Sequence, residues 1–263
     1  MLSYPDIYIP SRGRANNLIT PYTLPPRLQE RCYVVVRSEE AAEYVAANDE
    51  RMFGFITMPR SFRGGLSETR QWIFDNHGQG MFHIQLDDDI TSFNLKLDMT
   101  RFGGLVRATP RQISSGFDTL LKQLLDGVAH VGMCNRLAAA GAKVAWRENA
   151  HIQQALFYRA DVLRREKIRF DRVRLMQDLD VNLQLLQRGY PNKVCTKFSF
   201  NARDYRTSGG CQAYRDDALV KHVGGQMELL HPDITRLTPN RKRDGWHMNT
   251  NFRRAYIAKT KQL

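Results

Sequence analysis

Cysteine is scarce in this chain: Cys32, Cys134, Cys195 and Cys211 stand far apart in 263 residues, and no two share the spacing of a metal-binding pair. That scatter argues against a zinc site and against a disulfide framework, and it fits a reducing cytoplasm. Long apolar runs are missing too, none approaching the ~20 residues of a membrane-spanning helix. The opening MLSYPDIYIP has no basic stretch leading into an apolar one, so no export signal is expected. Internal repeats and low-complexity tracts are likewise lacking. Acidic residues are the minority among the charges: 27 Asp and Glu face 39 Lys and Arg, a net charge of +12. Such a balance favours an anionic partner, with nucleic acid, nucleotide and anionic lipid all open.

What is present is a chain with a real core. Hydrophobic residues make up 42% and charged residues 25%, ordinary for a folded soluble domain, and nothing in the middle reads as a linker, so a single domain is expected. Short β-rich runs alternate with helical ones through the first 90 residues. Strands are predicted at 6–10, 31–36, 53–58 and 82–86. Ser38 with Glu39 and Glu40 supplies an N-cap and acidic first turn for a helix through Glu43 and Ala47, and Gly64-Gly65 leads into a helix through Glu68, Arg70, Trp72 and Phe74. This order predicts an open α/β sheet with ligands at the carboxyl ends of its strands. Farther on, helices are predicted at 111–126, 160–166 and 178–188, the last stopped by Gly189-Tyr190-Pro191, and strands at 128–133, 152–158 and 194–200. Residues 134–150 read as a loop with a fragment of helix or hairpin. Beyond 200 the chain reads as irregular and basic.

Three adjacent carboxylates, Asp87, Asp88 and Asp89, follow the apolar strand FHIQL. On a strand that continued through them, Asp87 and Asp89 would share a face and Asp88 would point away. Hard oxygen ligands of this kind suit Mg²⁺ or Mn²⁺, which take one or two carboxylates and complete their shell with water and substrate phosphate. An acidic turn capping the next segment is the simpler account of such a cluster. Loop residues Ser11, Arg12 and Arg14 after Pro10 suit an anion, as do the backbone amides around Gly64 and Gly65, with Arg70 one turn into the helix. A second acidic site, Gln177-Asp178-Leu179-Asp180, opens a helix; one acid caps it, and Asp178 is the candidate general base, with Asp180 in support. Among His222, His231 and His247, His222 is the foremost candidate to complete a metal shell. Arg203, Arg206, Arg215, Arg241, Lys242 and Arg243 interleave with Tyr205, Tyr214 and Trp246, and with Trp146 earlier in the chain; this pattern suits stacking on extruded bases and gripping a backbone, although a charge run is usually a solvated face. Trp72, at helical spacing, reads as core.

The ordered motifs IPSRGR, GGLSETRQW, QLDDD, ALFYRADVL and MQDLDVNLQLLQRGY, over roughly residues 6 to 200, resemble nucleotide-sugar-dependent glycosyltransferases of the GT-A fold. The resemblance implies a single α/β domain with a GT-A-like, Rossmann-type open mixed sheet flanked by helices. Residues 1–90 would form its nucleotide-sugar-binding half, 91–200 its acceptor and catalytic half, and 201–263 a basic extension. It also implies a D-x-D metal site, matched at Asp87 and Asp89, with Mn²⁺ or Mg²⁺ on the diphosphate of a nucleoside diphosphate sugar, a UDP-sugar first among them. Pro10, Ser11, Arg12, Arg14, Gly64, Gly65, Arg70, Asp87 and Asp88 would bind that donor. The catalytic base would fall at Asp178, where the family more often carries Glu-Asp and this chain has Gln177-Asp178. More narrowly, IPSRGR and DYRTSGGCQAYR resemble the TET-associated glycosyltransferases of bacteriophages. That implies DNA containing 5-hydroxymethylcytosine or 5-hydroxymethyluracil as acceptor, and no membrane partner and the cytoplasm of an infected bacterium are expected. Direct attack in line with the leaving group, assisted by Asp178, would invert the anomeric carbon, and this is the expectation; a retaining course, with a different nucleophile arrangement, stays open. Two other readings stay open: a polysaccharide or lipid-linked glycan acceptor on the same fold, and a non-catalytic nucleic-acid binder.

Overall fold

The structure is a computed structural model that describes residues 4–203, 214–240 and 245–260. In chain order its elements are β1 (Ile7–Pro10), α1 (Thr20–Thr23), α2 (Pro26–Gln29), β2 (Cys32–Val36), α3 (Ala41–Ala47), β3 (Gly54–Thr57), α4 (Leu66–His77), β4 (Phe82–Leu86), β5 (Ile90–Lys96) and β6 (Leu105–Arg107). There follow α5 (Pro110–Leu125), β7 (His130–Asn135), α6 (Arg136–Ala140), β8 (Trp146–Glu148), β9 (Ala155–Arg159), α7 (Ala160–Arg165), α8 (Gln177–Gln187) and β10 (Asn192–Ala202). The C-terminal part comprises α9 (Asp217–Leu230), β11 (Thr235–Pro239), β12 (Trp246–Thr250) and α10 (Phe252–Thr260).

The main sheet has the order β3-β2-β1-β4-β9-β7-β10-β5-β6. Strands β3, β2, β1 and β4 run parallel, and β9 enters antiparallel between β4 and β7. β10 runs parallel to β7, while its other edge is shared: residues 193–195 pair with β8 and residues 198–202 with β5. An irregularity between Cys195 and Ser199 lets one strand serve both partners. This is the open mixed α/β sheet that the sequence predicts.

Both faces of the sheet are covered, as the side-chain alternation in β9 shows. Ala155 and Phe157 belong to one apolar cluster, with Phe117, Leu120 and Leu124 of α5; Leu156 and Tyr158 belong to another, with Val162 and Leu163 of α7 and Val181 and Leu185 of α8. Thr109 begins α5 with a capping box to Gln112, and Pro110 stands at its first position. Helix α8 is apolar on a second side as well: Leu179, Leu183 and Leu186 pack with Val220, Val223 and Met227 of α9, Ile234 and Ala255. Helix α8 is therefore buried between the sheet and the C-terminal layer.

Three expectations are corrected here. Residues 38–40 form a turn, so α3 begins at Ala41 after Glu40, and Ser38 hydrogen-bonds Glu39 instead of capping a helix. The strand expected at 152–158 starts only at Ala155, because Gln154 takes a left-handed φ of 62° that breaks the extended run. The region after 200 is expected to be irregular, but among its described residues α9, the β11–β12 hairpin and α10 form an ordered layer. HVGG read as a loop because of its glycines. Gly224 is in fact helical, and a Cβ there would meet Leu237 Cδ2 at 2.5 Å, so the small residue lets the hairpin press onto α9. Cys32, Cys134 and Cys195 are buried free thiols, whereas Cys211, Tyr205, Arg206, Arg241, Lys242 and Arg243 lie outside the described residues. Trp72 is partly buried and packs beside Tyr8 and Ile73, near its expected role.

Candidate functional site

The carboxyl ends of β1 and β4 meet in a cavity of about 200 Å³. Pro10, Ser11, Arg12 and Arg14 line it from the β1 side, Gly64 and Gly65 from the start of α4, and Asp87, Asp88 and Asp89 from the end of β4. Arg37, Arg203 and Arg215 add further positive charge to the wall. Four of the sequence motifs, distant along the chain, are thus brought together where an open α/β sheet offers its ligand site.

The three aspartates do not alternate as a strand would require. β4 stops at Leu86 and the chain turns straight back into β5 at Ile90, so the cluster sits in a tight turn. Thr20 holds that turn: its hydroxyl donates to the Asp87 carbonyl at 2.6 Å and accepts from the Ile90 N–H at 2.8 Å. Asp88 and Asp89 share one cation, Arg14, at 2.5 and 3.1 Å. The other Asp88 oxygen accepts from the Ser11 hydroxyl at 2.5 Å, and Ser11 also contacts the Tyr44 hydroxyl at 2.7 Å. Both Asp88 oxygens are therefore engaged within the protein, and Asp88 fixes the Ser11–Arg14 loop. Asp87 pairs with a different cation, Arg70.

Arg70 differs from the expectation. Its side chain is 1% exposed and is held by Gln85 at 2.9 Å and by Asp87, so it neutralises a carboxylate from behind and does not line the cavity. Gly64 and Gly65 also act differently: the Gly65 N–H donates to Glu68 Oε2 at 2.8 Å and the Leu66 N–H to the Tyr214 hydroxyl at 3.4 Å, so these amides are satisfied internally. What Gly64 provides is closeness, since a Cβ there would lie 2.4 Å from Glu68 Cβ.

Burial, with Asp89, Asp88 and Asp178 nearby, drives the Asp87 carboxyl up to about 7 against the opposing pull of Arg70. Burial likewise raises Asp88, with Arg14 and Ser11 pulling the other way. On Asp89, Oδ1 is buried with no hydrogen-bond partner among the described residues. A crowded set of carboxylates with one orphaned acceptor suits an added cation. Among the described residues, however, no three His, Cys, Asp or Glu side chains converge as a self-sufficient metal cage. The same chemistry fits an ion that draws most of its shell from water and a phosphate-bearing ligand.

Asp178 sits in the first turn of α8, after Met176 in the left-handed region at φ 61°. A non-glycine residue there carries strain of about 1 kcal/mol or more, of the kind that accumulates at functional sites. Its carboxylate is 21% exposed, accepts from the Leu179 N–H at 2.9 Å and lies 3.5 Å from His151 Nε2. Burial pushes this acid up, but His151, Arg70 and the Leu179 amide prevail and hold it below the usual carboxylate value. A second cavity opens over Asp178, lined also by Gln177, His151, Trp246 and His247, and the two cavities meet at Arg215, which lines both.

Asp180 does not support Asp178 directly. It is fully buried, bonded to His231 Nε2 at 2.7 Å and to Gln184 at 2.8 Å. His222 lies exposed on α9 and is not part of the aspartate cavity's lining. His151, beside the candidate base, escaped sequence reasoning; a lone histidine before a strand carries no signal until the fold brings it to α8.

The chain belongs to the TET-associated glycosyltransferase family, whose model matches residues 5–210. It is 27% identical over 211 residues to the beta-glucosyl-HMC-alpha-glucosyl-transferase of Enterobacteria phage T2, covering 78% of this chain and 74% of that protein. The protein of the same name from phage T6 is 26% identical over the same shares. Among solved structures, S. aureus TarS 1–349 superposes with a TM-score of 0.49 at 9% identity, covering 74% of this chain and 58% of that one. No helix among the described residues is long and apolar enough to cross a membrane.

Proposed function

We propose that this glycosyltransferase moves a sugar from a nucleoside diphosphate sugar, a UDP-sugar in the first instance, to the hydroxymethyl group of a modified pyrimidine in phage DNA. The observation that carries the reading is the pairing of two cavities at Arg215. One gathers arginines and the aspartate turn at the strand ends, as a charged diphosphate with a cation requires, and the other presents Asp178. The names of the phage T2 and T6 relatives point to hydroxymethylcytosine chemistry, and the acceptor proposed here is 5-hydroxymethylcytosine or 5-hydroxymethyluracil. The net charge of +12 suits a DNA substrate. The enzyme would work in the cytoplasm of the infected bacterium.

Asp87 and Asp89 would hold Mn²⁺ or Mg²⁺, whose charge offsets that of the leaving diphosphate when bound. Arg12, Arg14 and Ser11 bind and orient the donor, with Asp88 fixing the latter two. Asp178, ionised at neutral pH, takes the proton from the acceptor hydroxyl as its oxygen attacks the anomeric carbon, and His151 holds the carboxylate in place. Attack opposite the leaving diphosphate inverts that carbon.

The test is incubation with Mn²⁺, a panel of nucleotide sugars and DNA containing each modified pyrimidine, followed by mass spectrometry of the digested nucleosides. A hexose-sized gain on one modified nucleoside is the expected result. Donor hydrolysis without a gain on any DNA would move the acceptor to a glycan, and no turnover at all would favour a binding protein.

A further inference from the structure

The cavity over Asp178 continues beyond the reacting carboxylate. At Asn249, Thr250 and Phe252 it merges with a depression that also holds Arg236, Arg253 and Arg254. One end of the combined groove is aromatic. Trp246 lies there with the Lys221 ammonium 4.9 Å from its ring centroid, and the His151 ring stacks on Phe252 at 6.0 Å and 22°. The other end is cationic, and its arginines are exposed, Arg254 with a surface partner in Asp233 at 3.4 Å. Residues 201–263 hold 12 Lys and Arg against 6 Asp and Glu, half of the net charge of the chain.

We infer that this groove, built by the β11–β12 hairpin and the start of α10, is the track for the acceptor strand, with the modified pyrimidine everted into its aromatic end. The inference rests on the reading of the enzyme as a DNA glycosyltransferase. Asp178, in the wall of that cavity, has a side chain only 21% exposed, and a hydroxymethyl arm of one carbon and one oxygen cannot reach it while the ring stays stacked in the duplex. Everted, the ring lies against Trp246 and the Phe252–His151 pair and brings its hydroxyl to Asp178, while Arg236, Arg253 and Arg254 take flanking phosphates. Base–aromatic stacking and phosphate neutralisation are the two interactions such a track needs. Each lies at the end of the groove where this geometry requires it.

The experiment uses the full chain and duplex DNA carrying 5-hydroxymethylcytosine or 5-hydroxymethyluracil beside 2-aminopurine, whose fluorescence rises when its neighbour leaves the stack. Wild-type protein should raise the fluorescence. Trp246→Ala should lose the rise and increase the KM for DNA about ten-fold, with Trp246→Phe restoring most of both. Arg253→Gln and Arg236→Gln, both at exposed positions, should weaken DNA binding and each lower the salt slope of log Kd by about 0.9. If wild-type enzyme glycosylates the DNA while fluorescence stays flat and all variants bind as wild type, the groove assignment is overturned and the proposed function stands. Failure of wild-type enzyme to modify any DNA overturns both.

Discussion

His231 Nε2 lies 2.7 Å from Asp180 Oδ1, both side chains fully buried, and this contact ties the end of α9 to the first turn of α8. Gln187 holds the other ring nitrogen at 2.8 Å. Since Asp180 is two residues past Asp178, the C-terminal layer braces the helix that carries the candidate base. His231→Ala leaves a buried carboxylate short of a partner and should cost about 1–3 kcal/mol. Transfer should fall while donor binding persists, which denaturant melts and calorimetry with the nucleotide sugar would separate.

Asp87→Ala and Asp89→Ala should each abolish Mn²⁺-dependent donor binding. Calorimetric titration with and without a chelator reads this directly; donor binding at wild-type strength in either variant would remove that residue from the metal site.

Asp178→Asn should keep donor binding and lose transfer by about 10²- to 10⁴-fold, the usual span for general-base catalysis. Single-turnover kinetics at saturating donor is the measurement, and a fully active variant would end the base assignment.

Arg70→Met alters a residue outside the cavity, yet should weaken donor binding. Without the guanidinium, the Asp87 carboxyl should rise further above its present value of about 7, so donor affinity should need a higher pH than in wild type. Binding isotherms from pH 6 to pH 9, a range set around that value, give the shift; identical profiles would confine Arg70 to packing.

Acid stability supplies a prediction independent of catalysis. Burial depresses His83 and His130 from 6.5 to about 3. A depressed group contributes stability that is present above its unfolded value and lost as pH falls toward the folded one, so these two should destabilise the fold between 6.5 and about 3. The raised Asp87 works in the opposite sense as pH falls through about 7. His130→Phe can retain the stack on Tyr158, now at 4.2 Å between ring centroids, and should flatten the decline in melting temperature with acid.

The sheet was legible because its strands are short β-branched runs bounded by turn residues, and FHIQL at 82–86 matches β4 residue for residue. That Pro10, Ser11, Arg12, Arg14 and the aspartates line one cavity was legible because strand ends in an α/β sheet converge. Partner assignments were not. Arg70 and Asp180 are read from sequence as residues facing a ligand, and only packing reveals that each is turned inward, to Gln85 and Asp87 in one case and to His231 in the other. The C-terminal layer stayed hidden because its helix carries glycines where a neighbour presses close, and glycine signals a loop until that neighbour is known.

Burial of α8 between the sheet and the C-terminal layer has a consequence for synthesis. A ribosome makes β1 to β4, with the aspartate turn, early; the apolar ridge Leu179, Leu183 and Leu186 has no cover until residues 220–255 emerge. A nascent chain can thus carry the Ser11–Arg14 loop and the aspartate turn well before the helix bearing Asp178 is seated, while Arg203 and Arg215, which also line the donor cavity, are made only after that helix.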